Sequence, residues 1–380
     1  MKTEKIAGEQ SWSLHSDRVS LGVTREGGHT GPVEFSLGRG RVVAPLHCAP
    51  WAGEKLAPET PAILRVLRGD FFCMPFGGNA TAFRGEKHPV HGETANGRWE
   101  FVKAAANDGT ARLVLSMETE VRPARVEKMV ALRAGETVVY TRHTITGARG
   151  PMCLGHHAML AFGSKRGLVS VAPFVRGQVF PGAFEDPAAG GYSALMPGAF
   201  FSDLGRVPMA TGDFADLREY PAREGFEDLV MVSSKPGSDF GWSAVSFPDE
   251  GYVWFSLKDP RILASTVLWH SNGGRHYAPW SGRHRGVLGI EEVTANFHLG
   301  LAESARPNPV SRDGIPTNLV LDPNGALVVN TIMGVAEVPG KFGAVASIRP
   351  VAGGIEIRNR AGARVMAPLE TDFLHGDEGF

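Results

Sequence analysis

The sequence predicts an all-β protein, a large antiparallel β-sandwich, on three observations. Glycine (48) and proline (26) together make up roughly a fifth of the 380 residues, against a usual share of roughly 12%. Both residues are poorly tolerated in helix interiors. Apolar residues still make up 43% of the chain, enough for a packed core, so collagen-like and disordered readings fail. Short runs rich in Val, Leu, Thr and aromatic residues recur between turn residues, and no window longer than about ten residues holds a helical period without Gly or Pro.

Taken in order, the clearest element is 109–147, GTARLVLSMETEVRPARVEKMVALRAGETVVYTRHTITG. Arg122-Pro123 and Ala134-Gly135 break it into three strands of a meander. Its alternation is incomplete, as expected where both faces of a strand are packed. Similar runs follow at 226–234, 242–248, 251–257, 263–269, 286–294, 317–322, 326–333 and 354–358, each bounded by Gly, Pro, Asn or Asp. Helix is expected only as short connectors around 213–219 and 299–304. The Gly, Pro and Ala-rich stretch 183–222 reads as a long loop decorating one sandwich domain that spans 1–380.

Charge excludes several partner classes. With 39 basic against 40 acidic residues, no field attracts nucleic acid or an anionic membrane surface. The N-terminal MKTEKIAGEQSWSLHS lacks the apolar core of a signal peptide, and no 18-residue apolar run occurs, so a soluble cytoplasmic protein is expected. Cys48, Cys73 and Cys153 are odd in number and lack metal-finger spacing, so they read as reduced packing residues.

Polar and aromatic side chains gather among turns in four places: 68–100, 151–162, 268–285 and 287–298. The ordered set of motifs in them resembles the galactose mutarotase-like superfamily, which includes aldose 1-epimerases and glucose-6-phosphate 1-epimerases. Pro75, His91-Gly92 and Trp99 stand where that family has a proline-containing strand, a His-Gly motif and an aromatic. The run from His91 through Asn96 to Trp99 is similar to HGxxRNxxW of the hexose-phosphate epimerases. His157-Ala158-Met159-Leu160 matches a later strand, and Gly289-Ile290-Glu291-Glu292 matches Ile/Val-x-Glu-Pro except that Glu292 replaces the proline.

The resemblance implies a supersandwich fold, no cofactor, and a small sugar or short oligosaccharide as partner. It implies Glu291 as the base and His157 as the acid of anomer interconversion, with His91 donating a hydrogen bond to the ring oxygen or a neighbouring hydroxyl. Asn96, Trp99, Trp269, His270, Tyr277 and Trp280 are the expected sugar contacts, the aromatics by stacking on the C–H face of a pyranose. Two departures bear on the substrate. The arginine expected after Pro75 is absent, leaving Arg68 or Arg84 for that contact unless the substrate differs. Ala95 replaces the arginine of the hexose-phosphate relatives, which disfavours a phosphorylated sugar.

Adjacent residues on a strand face opposite sides, so only one of His156 and His157, and one of Glu291 and Glu292, can enter a given pocket. Metal chemistry is the weaker alternative. His88-x-x-His91, His156-His157 and His270 with His276 could group imidazoles, but the HxHxxxxE pattern of metal-dependent barrels is missing, and no metal is expected. GxxxxGK[ST] and GxSxG are also absent. A non-catalytic sugar-binding relative, or a lyase or glycosidase on the same scaffold, are the other readings, because a fold does not determine its chemistry.

Overall fold

The computed structural model describes residues 1–376. Two antiparallel sheets dominate it, one of 12 strands and one of nine. The meander expected at 109–147 forms the strands Thr110–Thr119, Ala124–Arg133 and Val138–Thr146. These belong to the nine-stranded sheet, together with Tyr252–Lys258 and Ala326–Glu337. In the larger sheet, five strands lie side by side in the order Asp70–Cys73, Leu154–Ala161, Val287–Thr294, Ser265–Asn272, Phe226–Ser234.

The central strands of the nine-stranded sheet are buried on both faces, which explains their imperfect alternation. Val139, Leu113, Leu115 and Val130 point into the main core between the sheets. Their neighbours Val138, Tyr140 and Val114 join a second core on the outer face. That core is closed by the three-stranded sheet Val345–Val351, Gly354–Asn359 and Arg364–Pro368, which contributes Ile348, Ile355 and Ile357.

The helix expected near 299–304 is present as Leu301–Ala305. The one expected around 213–219 is absent: Phe214–Ala215 pairs with Val207–Pro208, and Glu219–Tyr220 adds to the nine-stranded sheet. Two local interactions explain this. Asp216 Oδ1 accepts from the Arg218 amide at 2.9 Å, a turn-forming bond that competes with helix. The buried Tyr220 hydroxyl donates to the Ser271 and Val287 carbonyls at 2.8 and 2.9 Å, pinning the chain to the larger sheet. The 183–222 segment is thus more ordered than a plain loop, and Phe200–Phe201 extends the edge of the 12-stranded sheet. All three cysteines are free, with Cys73 and Cys153 buried.

Candidate active site

Five consecutive strands each place one side chain on the same side of the 12-stranded sheet: Phe71, His157, Glu291, Trp269 and Leu229, all lining one cavity. Strand register holds them there. His157 lies opposite Phe71, Leu229 opposite Trp269, and Glu291 opposite Val267. Gly289 faces Trp269, and a Cβ there would come within 2.8 Å of Glu291 Oε1 and 3.0 Å of Trp269 Cβ. The glycine therefore makes room for both the carboxylate and the indole.

Loops complete the walls. The turn before Gly92 brings His91 over the strands, with φ at 58°. Gly92 itself has φ at 75° and lies so close to the backbone that a Cβ would sit 2.0 Å from the Met74 carbonyl oxygen. No side chain fits there, which gives the His-Gly motif a steric reason. His91 N donates to the Gly77 carbonyl at 2.7 Å, and its Nδ1 accepts from Gly77 N at 3.5 Å. The proton then rests on Nε2, free to donate to a ligand. Arg275, Trp280, Phe184 and His298 close the cavity, which measures about 110 Å³, or about 530 Å³ with its mouth.

His157 Nε2 stands 3.3 Å from Glu291 Oε1, and the ring of His91 lies 5.0 Å from that of His157. Burial sets the charges here. It pushes the Glu291 carboxyl well above the ordinary range, although Arg275 opposes the shift. It lowers His157 to about 3, with neighbouring His298 adding to the effect, and lowers His91 well below its usual value. Burial thus favours the uncharged forms of the carboxyl and of both imidazoles.

Arg275 is the cation of this cavity, and it is already engaged. Burial disfavours its charge, but Glu227 and Glu185 more than offset this. Its guanidinium meets Glu185 Oε1 at 2.7 Å and lies over the ring of Trp280 at 4.6 Å and that of Trp269 at 5.2 Å. Glu227, raised to about 7 by burial, accepts from Trp269 Nε1 at 2.9 Å, Ser271 Oγ at 3.0 Å and Gly274 N at 3.1 Å. It therefore anchors both the indole and the start of the Arg275 loop.

Of the residues expected from the sequence, His91, His157, Glu291, Trp269 and Trp280 come together in this cavity. Tyr277 does not line the cavity; its hydroxyl donates at 3.2 Å to Glu185 Oε2, the carboxylate that holds Arg275. Five others lie elsewhere. Asn96 spends its amide on backbone, accepting from Ile63 N and donating to the Val90 and Gly92 carbonyls. Trp99 is buried and donates to the Thr94 carbonyl, while Arg68 is buried among the Val66 and Ile6 carbonyls. Arg84 is exposed beside Phe83. His270 faces the opposite side of its strand, against Tyr220, because it follows Trp269 directly. Phe71, Phe184, Glu185, Glu227, Arg275 and His298 were not singled out. Arg275 and His298 fall inside the polar clusters at 268–285 and 287–298, but spacing did not separate Arg275 from Arg283 and Arg285, which pair with Glu54 and Glu224.

The fold has solved counterparts at low sequence identity. A proposed aldose 1-epimerase from Escherichia coli K12 aligns over 86% of this chain and 99% of its own, with 16% identity and a TM-score of 0.53. The chain has the mutarotase-like fold. A proposed aldose 1-epimerase from Klebsiella pneumoniae covers 89% of this chain and 82% of its own at 15% identity and TM-score 0.57. A galactose mutarotase-like protein from Clostridium acetobutylicum covers 89% and 98% at 11% identity and TM-score 0.57. No protein-family model and no curated protein matches the sequence. Among the described residues no helix is long and apolar enough to cross a membrane.

Proposed function

We propose that this chain interconverts the anomers of a sugar, as an aldose 1-epimerase. The observation that carries the reading is the 3.3 Å approach of His157 Nε2 to Glu291 Oε1 in an aromatic-lined cavity, with His91 alongside. Ring opening needs the C1 hydroxyl to lose a proton, the C1–O5 bond to break into a carbonyl, and the ring oxygen to gain a proton. One acid and one base suffice, and no cofactor is required.

In this reading the first step moves two protons. Neutral His157 accepts the C1-hydroxyl proton while the Glu291 carboxylic acid protonates the ring oxygen, leaving an imidazolium beside a carboxylate. Rotation about C1–C2 presents the other face of the aldehyde, and the ring closes as Glu291 takes the proton back and His157 returns one. These assignments exchange the roles that the family resemblance implies, in which Glu291 takes the C1-hydroxyl proton and His157 protonates the ring oxygen. His91 Nε2–H steadies charge developing on an adjacent oxygen, and Trp269 and Trp280, with Arg275 lying over both rings, add apolar surface to the cavity wall.

Polarimetry or NMR exchange with freshly dissolved aldoses tests the reading. The protein is expected to speed equilibration, and Glu291→Gln to abolish the effect with folding intact. Near-wild-type turnover in that variant overturns the proposal. Sugar binding without faster exchange in the wild type selects the non-catalytic relative instead.

A further inference from the structure

The part of the cavity beside His91 has a chemistry that sugar catalysis does not by itself require. Ile63, Leu64 and Leu67 from the Ala62–Arg65 turn of helix and its end, with Val90 at the mouth, make a wall of aliphatic side chains. The wall is built rather than incidental. Asn96 ties its two halves together, accepting from Ile63 N at 3.0 Å and donating to the Val90 and Gly92 carbonyls at 2.7 Å each. The imidazoles and the carboxyl lie in the strands and loops facing it, and Arg275 is held by Glu185.

A common aldohexose carries a hydroxyl or hydroxymethyl on every ring carbon. Any hydroxyl pressed against this wall loses water and gains no hydrogen bond, which weakens binding. A methyl group there gains by burial. We infer that the substrate is a neutral 6-deoxyhexose whose C5 methyl packs against the wall of Ile63, Leu64, Leu67 and Val90. The inference rests on the epimerase reading above and names its substrate class. A 6-phosphate fits worst, since the one arginine lining the cavity is paired with Glu185.

The test uses the full chain and three matched pairs: 6-deoxy-D-glucose and D-glucose, D-fucose and D-galactose, L-rhamnose and L-mannose. Anomer exchange is followed by NMR, with D-glucose 6-phosphate as the charged control. At least one 6-deoxy sugar is expected to exceed its parent in kcat/KM by roughly ten- to hundred-fold, the range one apolar group commands in a fitted pocket. Leu64→Gln, at a half-buried position, is expected to shrink that preference below threefold by offering the hydroxymethyl group partners. A preference under ten-fold in every pair, or efficient turnover of the 6-phosphate, overturns the inference. If no sugar is turned over, the Kd ratios of the same pairs by calorimetry decide. A ten-fold preference there upholds the deoxysugar assignment while the epimerase reading falls, and no binding by any of the six overturns both.

Discussion

Lowering the pH from 7 to 5 is expected to strip this protein of several kcal/mol of stability, because its fold depends on histidines that resist protonation. Four have folded-state values near 3 or 4 as a result of burial: His29 and His157 about 3, His47 and His298 about 4. In the unfolded chain each takes a proton near pH ~6.5. The unfolded state therefore binds more protons as pH falls, and stability drops with it. Between pH 6.5 and 5 each histidine costs about 2 kcal/mol, roughly 8 together, since each tenfold change in proton concentration is worth about 1.4 kcal/mol per proton bound. Glu227 acts in the opposite direction. Raised to about 7, it destabilises the fold at neutral pH and returns about 2 kcal/mol on acidification, and Glu291 contributes with the same sign, whereas His91, His143, His270 and His284, all lowered by burial, add to the loss. The net loss is a large fraction of the roughly 5–15 kcal/mol available to a folded protein. Urea unfolding at pH 7.5 and pH 5, followed by fluorescence of the seven tryptophans, measures it. Stability at pH 5 within about 1 kcal/mol of the neutral value would refute the reasoning.

Two further outcomes follow from packing at the site. Gly289→Ala places a methyl 2.8 Å from Glu291 Oε1, so anomer exchange should fall at least about ten-fold as the carboxyl is displaced; unchanged kinetics would exclude the crowding argument. Asn96→Ala removes three hydrogen bonds to backbone and should cost about 2–3 kcal/mol in urea titrations, with the wall beside His91 loosened and KM raised more than kcat is lowered.

The sandwich was legible because its strands are short, apolar and bracketed by turn residues, and the meander at 109–147 appears with its breaks where Arg122-Pro123 and Ala134-Gly135 stand. The edges were less so. Thr30–Ser36 carries Pro32, and Val345–Val351 carries Pro350 and is largely exposed on one side, so neither reads as a strand by composition. In the site, the strand residues His157, Glu291 and Trp269 carried motif or aromatic signals, whereas Phe71 is indistinguishable by type from the core residue Phe72 beside it. Arg275 and Phe184 reach the cavity through long-range loop packing, which spacing along the chain does not encode. Asn96 misled for a definable reason: its amide suits a sugar hydroxyl and a backbone carbonyl equally well.

The same alternation that selects His157 and Glu291 sends their neighbours between the sheets, and those inward residues bear on the register of the strands that carry them. His156 Nδ1 meets Asp70 Oδ2 at 2.8 Å, and Glu292 meets Lys258 Nζ at 2.5 Å while accepting from Ser243 Oγ and Thr266 Oγ1 at 2.7 Å each. A slip of one residue in Val287–Thr294 would turn Glu292 into the cavity and Glu291 into the core. Apolar neighbours such as Ile290 and Val293 resist that slip only weakly, since Leu288 and Val287 are also buried on either face. A charge with a single matching partner resists it strongly. Lys258→Met leaves Glu292 uncompensated and should cost about 3–5 kcal/mol, whereas the double variant Lys258→Met with Glu292→Leu should recover most of that, as apolar replacement of a buried pair commonly does. If the pair serves register and the epimerase proposal holds, the recovered double variant will still exchange anomers more slowly than the wild type, because Glu291 no longer has a unique reason to face the cavity. Full activity together with full stability would show that packing alone sets the register and that the ion pair is dispensable.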